Sequence, residues 1–379
     1  MSAPRIVILG SGFAALTAVR ELRRRHVGAD ITVVSPAPVL TYLPSLIWVP
    51  AGLRRAEDLT IPLAGFFARH DVRHVPATVE QVTDGGRRVH TSGGVIENDV
   101  LLIATGGRYI RKLPGIENAI IPCEGVAVAD ALRQRIGALQ HGAIAIGFGA
   151  NPQEPSAVRG GPMFEFLFGL DTLLRRQGRR EAVDLVFFNA STQPGQRLGA
   201  KAVAGLLKEM ERRGIRTHLG HKPLRFAPDR VVTEGGEIPT DLILFMPGLT
   251  GPAWLTESCL PLSPGGFIAA DATCAVHGLD DVYVAGDAGS FPGPDWMPKQ
   301  AHQADLQARA AARNIAAALA GRPERETFRP ELVCIVDTLD AGMLVFRDVR
   351  RNFSLPRLGP LHHVKRMFEA HYLRAYRAA

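Results

Sequence analysis

The chain has 379 residues, a hydrophobic fraction of 46%, a charged fraction of 21% and a formal charge of +7. These values describe a folded chain of two or three domains and exclude a wholly disordered or coiled-coil protein. Four cysteines are too few for a disulfide scaffold in this length, and no apolar run reaches the roughly 18 residues of a membrane-spanning helix.

Arg5 to Leu9 (RIVIL) is an uninterrupted apolar run suited to a central parallel strand. With no basic region and long apolar stretch ahead of it, no signal peptide is expected. Gly10-Ser-Gly12-Phe13-Ala-Ala15 follows, then a helix through Leu22 and a second strand at Ile31 to Val34. Strand, GxGxxA turn and helix together form the fingerprint of a dinucleotide-binding βαβ unit. Gly10 allows the tight turn, Gly12 lets backbone approach a pyrophosphate, Ala15 permits close helix–strand packing, and the helix N-terminus favours the phosphates. The second strand ends in Ser35-Pro36 where an acid usually binds the ribose; a serine hydroxyl can make a weaker bond there.

Val79 to Val89 and Gly94 to Ile96 read as a small antiparallel meander, followed by a buried strand from Asp99 that ends in Ala104-Thr105-Gly106. In the middle of the chain, Ala143 to Ile146 and Asp184 to Phe188 read as strands of a second α/β unit. Its Gly147-Phe-Gly149 turn loses the glycine pattern at Pro152 and Pro155, and its second strand ends at Asn189 without an acid, so nicotinamide dinucleotide binding is not expected. Downstream, a strand from Asp281 ends in Ala285-Gly286-Asp287, whose carboxylate can accept hydrogen bonds from a polyol. A proline-rich loop follows, then an Ala-rich helix over about Gln300 to Leu319 closed by Gly321.

The Gly10 turn, Ala104-Thr105-Gly106, Ala285-Gly286-Asp287 and the degenerate second unit together resemble the flavoproteins built from two dinucleotide-binding domains. Four local segments are similar to their sulfide:quinone oxidoreductase and flavocytochrome c sulfide dehydrogenase branch. These are Tyr42-Leu-Pro44-Ser45-Leu-Ile-Trp48, Gly161-Pro162-Met-Phe-Glu165, Met297-Pro298-Lys299 and Glu331-Leu-Val-Cys334-Ile-Val-Asp337. The resemblance implies an α/β fold of two Rossmann-like domains. The FAD domain would be discontinuous over 1–110 and 265–322, the degenerate domain would span 111–264, and a C-terminal membrane-interface segment would run over 323–379. It implies FAD held by Gly10, Gly12, Phe13, Ala15, Ser35, Pro44, Val79, Thr105, Gly106, Gly286, Asp287 and Lys299, with Cys334 and Cys123 as the catalytic cysteines. Sulfide or a related reduced sulfur species would be the donor, a membrane quinone the acceptor, and no metal is expected.

One departure stands out. The branch carries a cysteine just before its Gly-Pro turn; here Val158, Arg159 and Gly160 stand there. Three possibilities remain at this point: Cys123 and Cys334 share the sulfur chemistry, Cys334 acts alone, or sulfide is not the substrate. In some members the counterpart of Cys123 is linked to the flavin. Arg159 reads as an exposed loop arginine, with binding of an anionic sulfur substrate as the alternative. His302 is a candidate proton carrier on the acceptor side, though a helix histidine is more often a surface or capping group. Cys259 and Cys274 read as core.

From Arg347 onward eight Lys and Arg face only Asp348 and Glu369, so six of the seven excess positive charges lie in the tail. From Leu361 the tail reads as an amphipathic helix with Leu361, Val364, Phe368, Tyr372 and Ala375 on one face and Arg366, Arg374 and Arg377 elsewhere. Such a helix suits an anionic membrane surface, which implies a peripheral membrane protein, by default on the cytoplasmic face. Nucleic acid is not expected, since no basic–aromatic interleaving appears, and a homo-oligomer stays open. Competing readings are a type II NADH:quinone oxidoreductase, a flavoprotein subunit donating to a cytochrome c, and a redox-silent flavin-binding interaction protein.

Overall fold

The apolar run Arg5–Leu9 lies at the centre of a five-stranded parallel sheet in a computed structural model that describes residues 3–323 and 325–377. The strand order is Val282–Val284, Val100–Ile103, Arg5–Leu9, Asp30–Ser35, Val72–Pro76. The sheet is therefore completed by a strand from late in the chain, paired in parallel with Val100–Ile103. Parallel strands need crossovers and are covered on both faces, which is why these strands are apolar without alternation. One face is covered by the helices Phe13–Arg24 and Ala301–Leu319. They meet through small residues, Ala14, Ala15 and Ala18 against Ala304, Ala308 and Ala311, all in one buried cluster. The antiparallel meander Val79–Thr83, Arg88–Thr91, Gly94–Glu97 covers another part of the sheet.

A second five-stranded parallel sheet has the order Ala119–Ile120, Leu242–Met246, Gly142–Phe148, Val183–Asn189, Arg216–Leu219. Its helix Gly161–Arg176 buries Met163, Phe164, Phe166, Leu167, Phe168 and Leu170 against it. Two Rossmann-like sheets, as expected, thus carry the molecule.

The C-terminal part holds more structure than the sequence reading gave it. Leu332–Asp337, Gly342–Arg347 and Asn352–Ser354 form an antiparallel sheet, and the helix Gly359–Arg374 follows, begun by Pro360 in its first turn. The inward face of that helix also differs from the expected phase. His362, Glu369 and Leu373 are buried, with Tyr376 just beyond the helix end, while Val364, Met367 and Phe368 are exposed. Tyr372, expected on the outward face, instead packs against Phe13 and Tyr42 with ring centroids 5.8 and 5.7 Å away. The apolar stripe was split because the docking face is largely polar. His362 Nδ1 lies 2.8 Å from Asp337 Oδ2, Arg54 Nε donates to Glu369 at 3.0 Å, and Tyr372 Oη donates to Asp305 at 3.2 Å. No described helix is long and apolar enough to cross a membrane.

Candidate functional site

The carboxyl ends of the strands Arg5–Leu9, Val100–Ile103 and Val282–Val284 lie side by side, which brings three distant glycine turns together. Gly10 has φ +104°, and a Cβ there would overlap the Ala104 carbonyl, 2.9 Å from its carbon. Only glycine serves at this position. Gly12 has ordinary φ, and nothing lies within 4 Å of where its Cβ would be, so open space stands before the helix N-terminus. Thr105 Oγ1 is buried without a hydrogen-bond partner, and Gly106 has φ +74°. Gly286 has φ +77°, donates its N–H to Gln307 Oε1 at 2.9 Å, and precedes Asp287. Ala15 is fully buried in the core and Phe13 is partly buried against it. A small cleft opens beside the Gly286 turn, lined among others by Asp287, Ser156, Met297, Lys299 and Gln307.

Other expected cofactor residues sit differently. Ser35 is buried; its hydroxyl donates to Ala37 O at 2.8 Å and lies 3.0 Å from His74 Nε2, so it offers no free group to a ribose. Val79 places its side chain in the core beneath the meander. Pro44 opens the short 3-10 turn Leu43–Trp48. Lys299 is buried; its Nζ donates to Gly289 O at 2.6 Å and lies 3.9 Å from the Phe267 ring centroid. Burial pushes its pKa down to about 8, with Asp287 and Glu154 opposing and Arg159 and Arg197 adding to the fall.

Cys334, on the strand Leu332–Asp337, meets the first turn of the helix Gly161–Arg176. Its Sγ is 3.9 Å from where a Gly161 Cβ would be. Cys123 is buried, and both cysteines are free thiols. Burial raises each thiol to about 12; Glu165 pushes further up at both and Lys365 pulls down at both. Glu165 is buried and accepts from Asp337 N at 2.9 Å and from Lys365 Nζ. Its pKa is raised by burial, against the pull of Lys365; that of Lys365 is raised because Glu165 and Cys334 outweigh burial. This ion pair at the two thiols was missed by the sequence reading in its role. Glu165 had a signal, as the last residue of the Gly-Pro motif. Lys365 lies 200 positions away and counted only as tail charge.

The loop after Gly149 is closed onto the neighbouring unit. Asn151 Nδ2 donates to Leu249 O and Gly265 O, each at 2.9 Å. Glu154 accepts from the hydroxyls of Ser263 at 2.9 Å and of Ser156 and Ser290 at 3.0 Å. Asn189, at the strand end, donates to Phe148 O at 2.8 Å. Where a phosphate cradle would need free backbone N–H groups and space, this loop spends its polar groups on the protein itself. Arg159, expected as an exposed arginine, is instead partly buried and ion-paired with Asp287, because this same loop folds down over the cleft. His302 is paired, its Nε2 2.6 Å from Glu331 Oε1. Cys274 is buried as expected, whereas Cys259 is exposed.

Residues 4–308 match the family model described as pyridine nucleotide-disulphide oxidoreductase. Over its length the chain is 24% identical to the sulfide-quinone reductase of Aquifex aeolicus, covering 98% of this chain and 90% of that protein. It is 22% identical to the type II NADH:quinone oxidoreductase of Staphylococcus saprophyticus, covering 91% of each. The crystal structure of the Aquifex aeolicus sulfide:quinone oxidoreductase superposes with a TM-score of 0.90 at 22% identity, over 99% of this chain and 92% of that one. The resemblance read from the glycine turns and the Cys334 segment is borne out. The shared strand-end seam and the family match across both sheets lead to one assignment: the chain belongs to the pyridine nucleotide-disulphide oxidoreductase family.

Proposed function

We propose that this protein is an FAD-dependent oxidoreductase of the sulfide:quinone oxidoreductase type, taking electrons from sulfide or a related reduced sulfur species and delivering them to a membrane quinone. The observation that carries this reading is the pairing of two thiols, the buried Cys123 and the half-buried Cys334, with the Glu165–Lys365 ion pair, in a chain whose nicotinamide loop is closed by its own hydrogen bonds. The groove fits the dinucleotide. Gly12 leaves space before a helix N-terminus, Gly10 cannot carry a side chain, and Thr105 holds an unpartnered hydroxyl. Gly10, Gly12, Thr105, Gly106, Gly286 and Asp287 would hold FAD, with Lys299 in the lining of the cleft. When bound, FAD supplies two-electron acceptance and one-electron release.

The chain's own residues set up the sulfur side. A thiol raised to about 12 is almost wholly protonated at neutral pH, so Cys334 needs a base to become a nucleophile. The Glu165 carboxylate is the nearby acceptor for the Sγ proton, and the Lys365 ammonium stabilises the resulting thiolate. His362 and Trp48 hold Asp337, whose backbone N–H fixes Glu165. On the outside, Val364, Met367 and Phe368 form an apolar strip flanked by the exposed Arg366 and Arg374, suited to insertion into an anionic bilayer surface. Anaerobic titration of the purified protein with sulfide and NADH in parallel tests the reading. Flavin bleaching by sulfide, with slow or no bleaching by NADH, is expected. Rapid saturable reduction by micromolar NADH would favour the NADH:quinone reading instead.

A further inference from the structure

Of the twelve large apolar side chains exposed among the described residues, eight lie between Val333 and Phe368. Such a concentration marks a contact surface. Three form the helix strip Val364, Met367, Phe368; the other five are Val333, Val349, Phe353, Leu355 and Leu358. Residues opposed in an antiparallel ladder point to the same side. The C-terminal sheet opposes Val333 to Phe346 and Phe346 to Phe353, and Ile335 to Leu344. Leu355 stands beyond Leu344, donating its N–H to the Leu344 carbonyl at 2.8 Å. Two apolar rows therefore share one face, and the Phe346 and Phe353 rings stack with centroids 5.3 Å apart. The alternate residues Leu332, Val336, Met343 and Val345 are buried in the core of the second sheet, with Cys334 packed against it. The helix Gly359–Arg374 covers only the Asp337–Gly342 end of the outer face. His362 meets Asp337 there, and the Leu361 Cβ stands 3.1 Å from where a Gly342 Cβ would be. The opposite end is uncovered, and Phe353 is 45% exposed.

That end runs into the turn Asp348-Val349-Arg350-Arg351. Asp348 Oδ1 accepts from the backbone N–H of Arg350 at 2.7 Å and of Arg351 at 2.6 Å, so its carboxylate is engaged within the turn. Val349 is 70% exposed, and the Arg350 and Arg351 side chains are exposed beside it. The tip thus presents one apolar side chain and two guanidinium groups.

We propose that this uncovered sheet face and its turn enter an anionic bilayer, so that lipid is met by a sheet as well as by the helix strip. This rests on the membrane-quinone reading and extends it to a second element. An anionic bilayer meets both features of the surface: acyl chains take up the apolar rows, and lipid phosphates take up Arg350 and Arg351. A second copy of this chain, joined about a two-fold axis at the tip, would instead bring four like charges together. Attachment through two elements also fixes the orientation of the molecule. The strand that turns Val333 toward lipid turns Cys334 toward the protein interior, against the helix Gly161–Arg176.

Flotation of the flavin-loaded full chain with vesicles of phosphatidylglycerol and phosphatidylcholine tests the proposal. Val349→Ser with Phe353→Ser should weaken binding about tenfold or more, from the apolar area withheld from lipid. Arg350→Gln with Arg351→Gln touches only the exposed tip; it should weaken binding about tenfold and flatten its salt dependence. For depth, a bimane label on Val349→Cys, made in a Cys259→Ser background because Cys259 is exposed, should be quenched by bromine on the acyl chains. The labelled Cys259→Ser protein measures reaction at other thiols. The proposal is overturned if both tip variants keep parental flavin content and circular dichroism and float as the parent does. It is overturned equally if the Val349→Cys label on vesicle-bound protein escapes quenching. A dimer in sedimentation velocity that the tip changes abolish, with no vesicle binding by the parent, would give the face to a second copy. Loss of flotation on changing Val364, Met367 and Phe368, with full flotation of the tip variants, would leave the helix strip standing and sink this face alone. Bleaching by sulfide is read separately in each variant, so its absence from the parent would sink the sulfur reading and leave the lipid face untouched.

Discussion

Gly10 and Gly12 stand two residues apart in one turn, yet substitution should separate their roles. Gly12 has φ −85°, and no atom lies within 4 Å of its missing Cβ. Gly12→Val therefore meets no protein clash, and its cost to folding is a poorer helix cap, about 1 kcal/mol. Its methyl groups would fill the space before the helix N-terminus, where backbone must approach a pyrophosphate. Gly10→Ala is the opposite case. At φ +104° an L side chain is strained by about 1–3 kcal/mol, and the overlap with the Ala104 carbonyl adds about 1–3 kcal/mol of forced displacement. That overlap pushes apart the strands Arg5–Leu9 and Val100–Ile103, which pair at the centre of the sheet. The assay is the ratio of visible flavin absorbance to protein absorbance, with thermal unfolding of each variant followed by circular dichroism. Gly12→Val should be folded and colourless; Gly10→Ala should be colourless and clearly less stable. A yellow Gly12→Val protein with parental flavin content would refute the assignment of this turn to the cofactor.

Cys334→Ser should keep FAD and lose bleaching by sulfide, with Cys123→Ser losing as much or less; mass spectrometry under denaturing conditions will show whether flavin stays on the Cys123 peptide. Bleaching of Cys334→Ser at the parental rate would exclude the thiol mechanism. The triple change Val364→Ser, Met367→Ser, Phe368→Ser touches only exposed positions and should weaken binding to anionic vesicles and turnover with a membrane quinone while leaving sulfide bleaching intact; unchanged vesicle binding would assign the strip another role. Deleting the helix is a poorer test, since it strips Lys365 from buried Glu165, and a buried carboxylate robbed of its partner costs about 3–5 kcal/mol. Lys299 predicts a pH effect on stability. Its folded pKa is near 8 against an ordinary 10.5, so below pH 8 both folded and unfolded chains are protonated and the cost of the buried charge is fully present. Between about 8 and 10.5 the unfolded chain holds the extra proton and stability rises with pH, by on the order of 3 kcal/mol. Lys299→Met should remove that rise in denaturant unfolding at pH 7 to 10; an identical pH slope in the variant would show that Lys299 is not depressed.

The local elements of the first sheet were legible in the chain because their causes are local. A buried parallel strand must be an apolar run, a turn at positive φ asks for glycine, and a helix facing phosphates asks for small residues at its start. Gly10, Gly12 and Ala15, the Thr105-Gly106 turn and the Gly286-Asp287 turn all announce themselves in this way. The motif at Cys334 was likewise visible as a segment, and so was the broken glycine pattern after Gly149. What those broken turns do instead was not visible. Asn151 and Glu154 close the loop by reaching carbonyls and hydroxyls about 100 or more positions away, and no periodicity records such partners. The same holds for Lys365 with Glu165, His362 with Asp337, Glu369 with Arg54 and Arg159 with Asp287. In each pair a charged residue that looks solvated in sequence is buried by a partner supplied from another element. Because the C-terminal helix docks through such pairs, its inward face does not follow its apolar stripe, and hydrophobic periodicity alone assigned Tyr372 to the wrong side. Sequence pattern determines where an element forms and which residues can be buried cheaply. Only the tertiary structure decides which charges are buried at a cost that a distant partner offsets, and one such pair, Glu165 with Lys365, acts on both thiols.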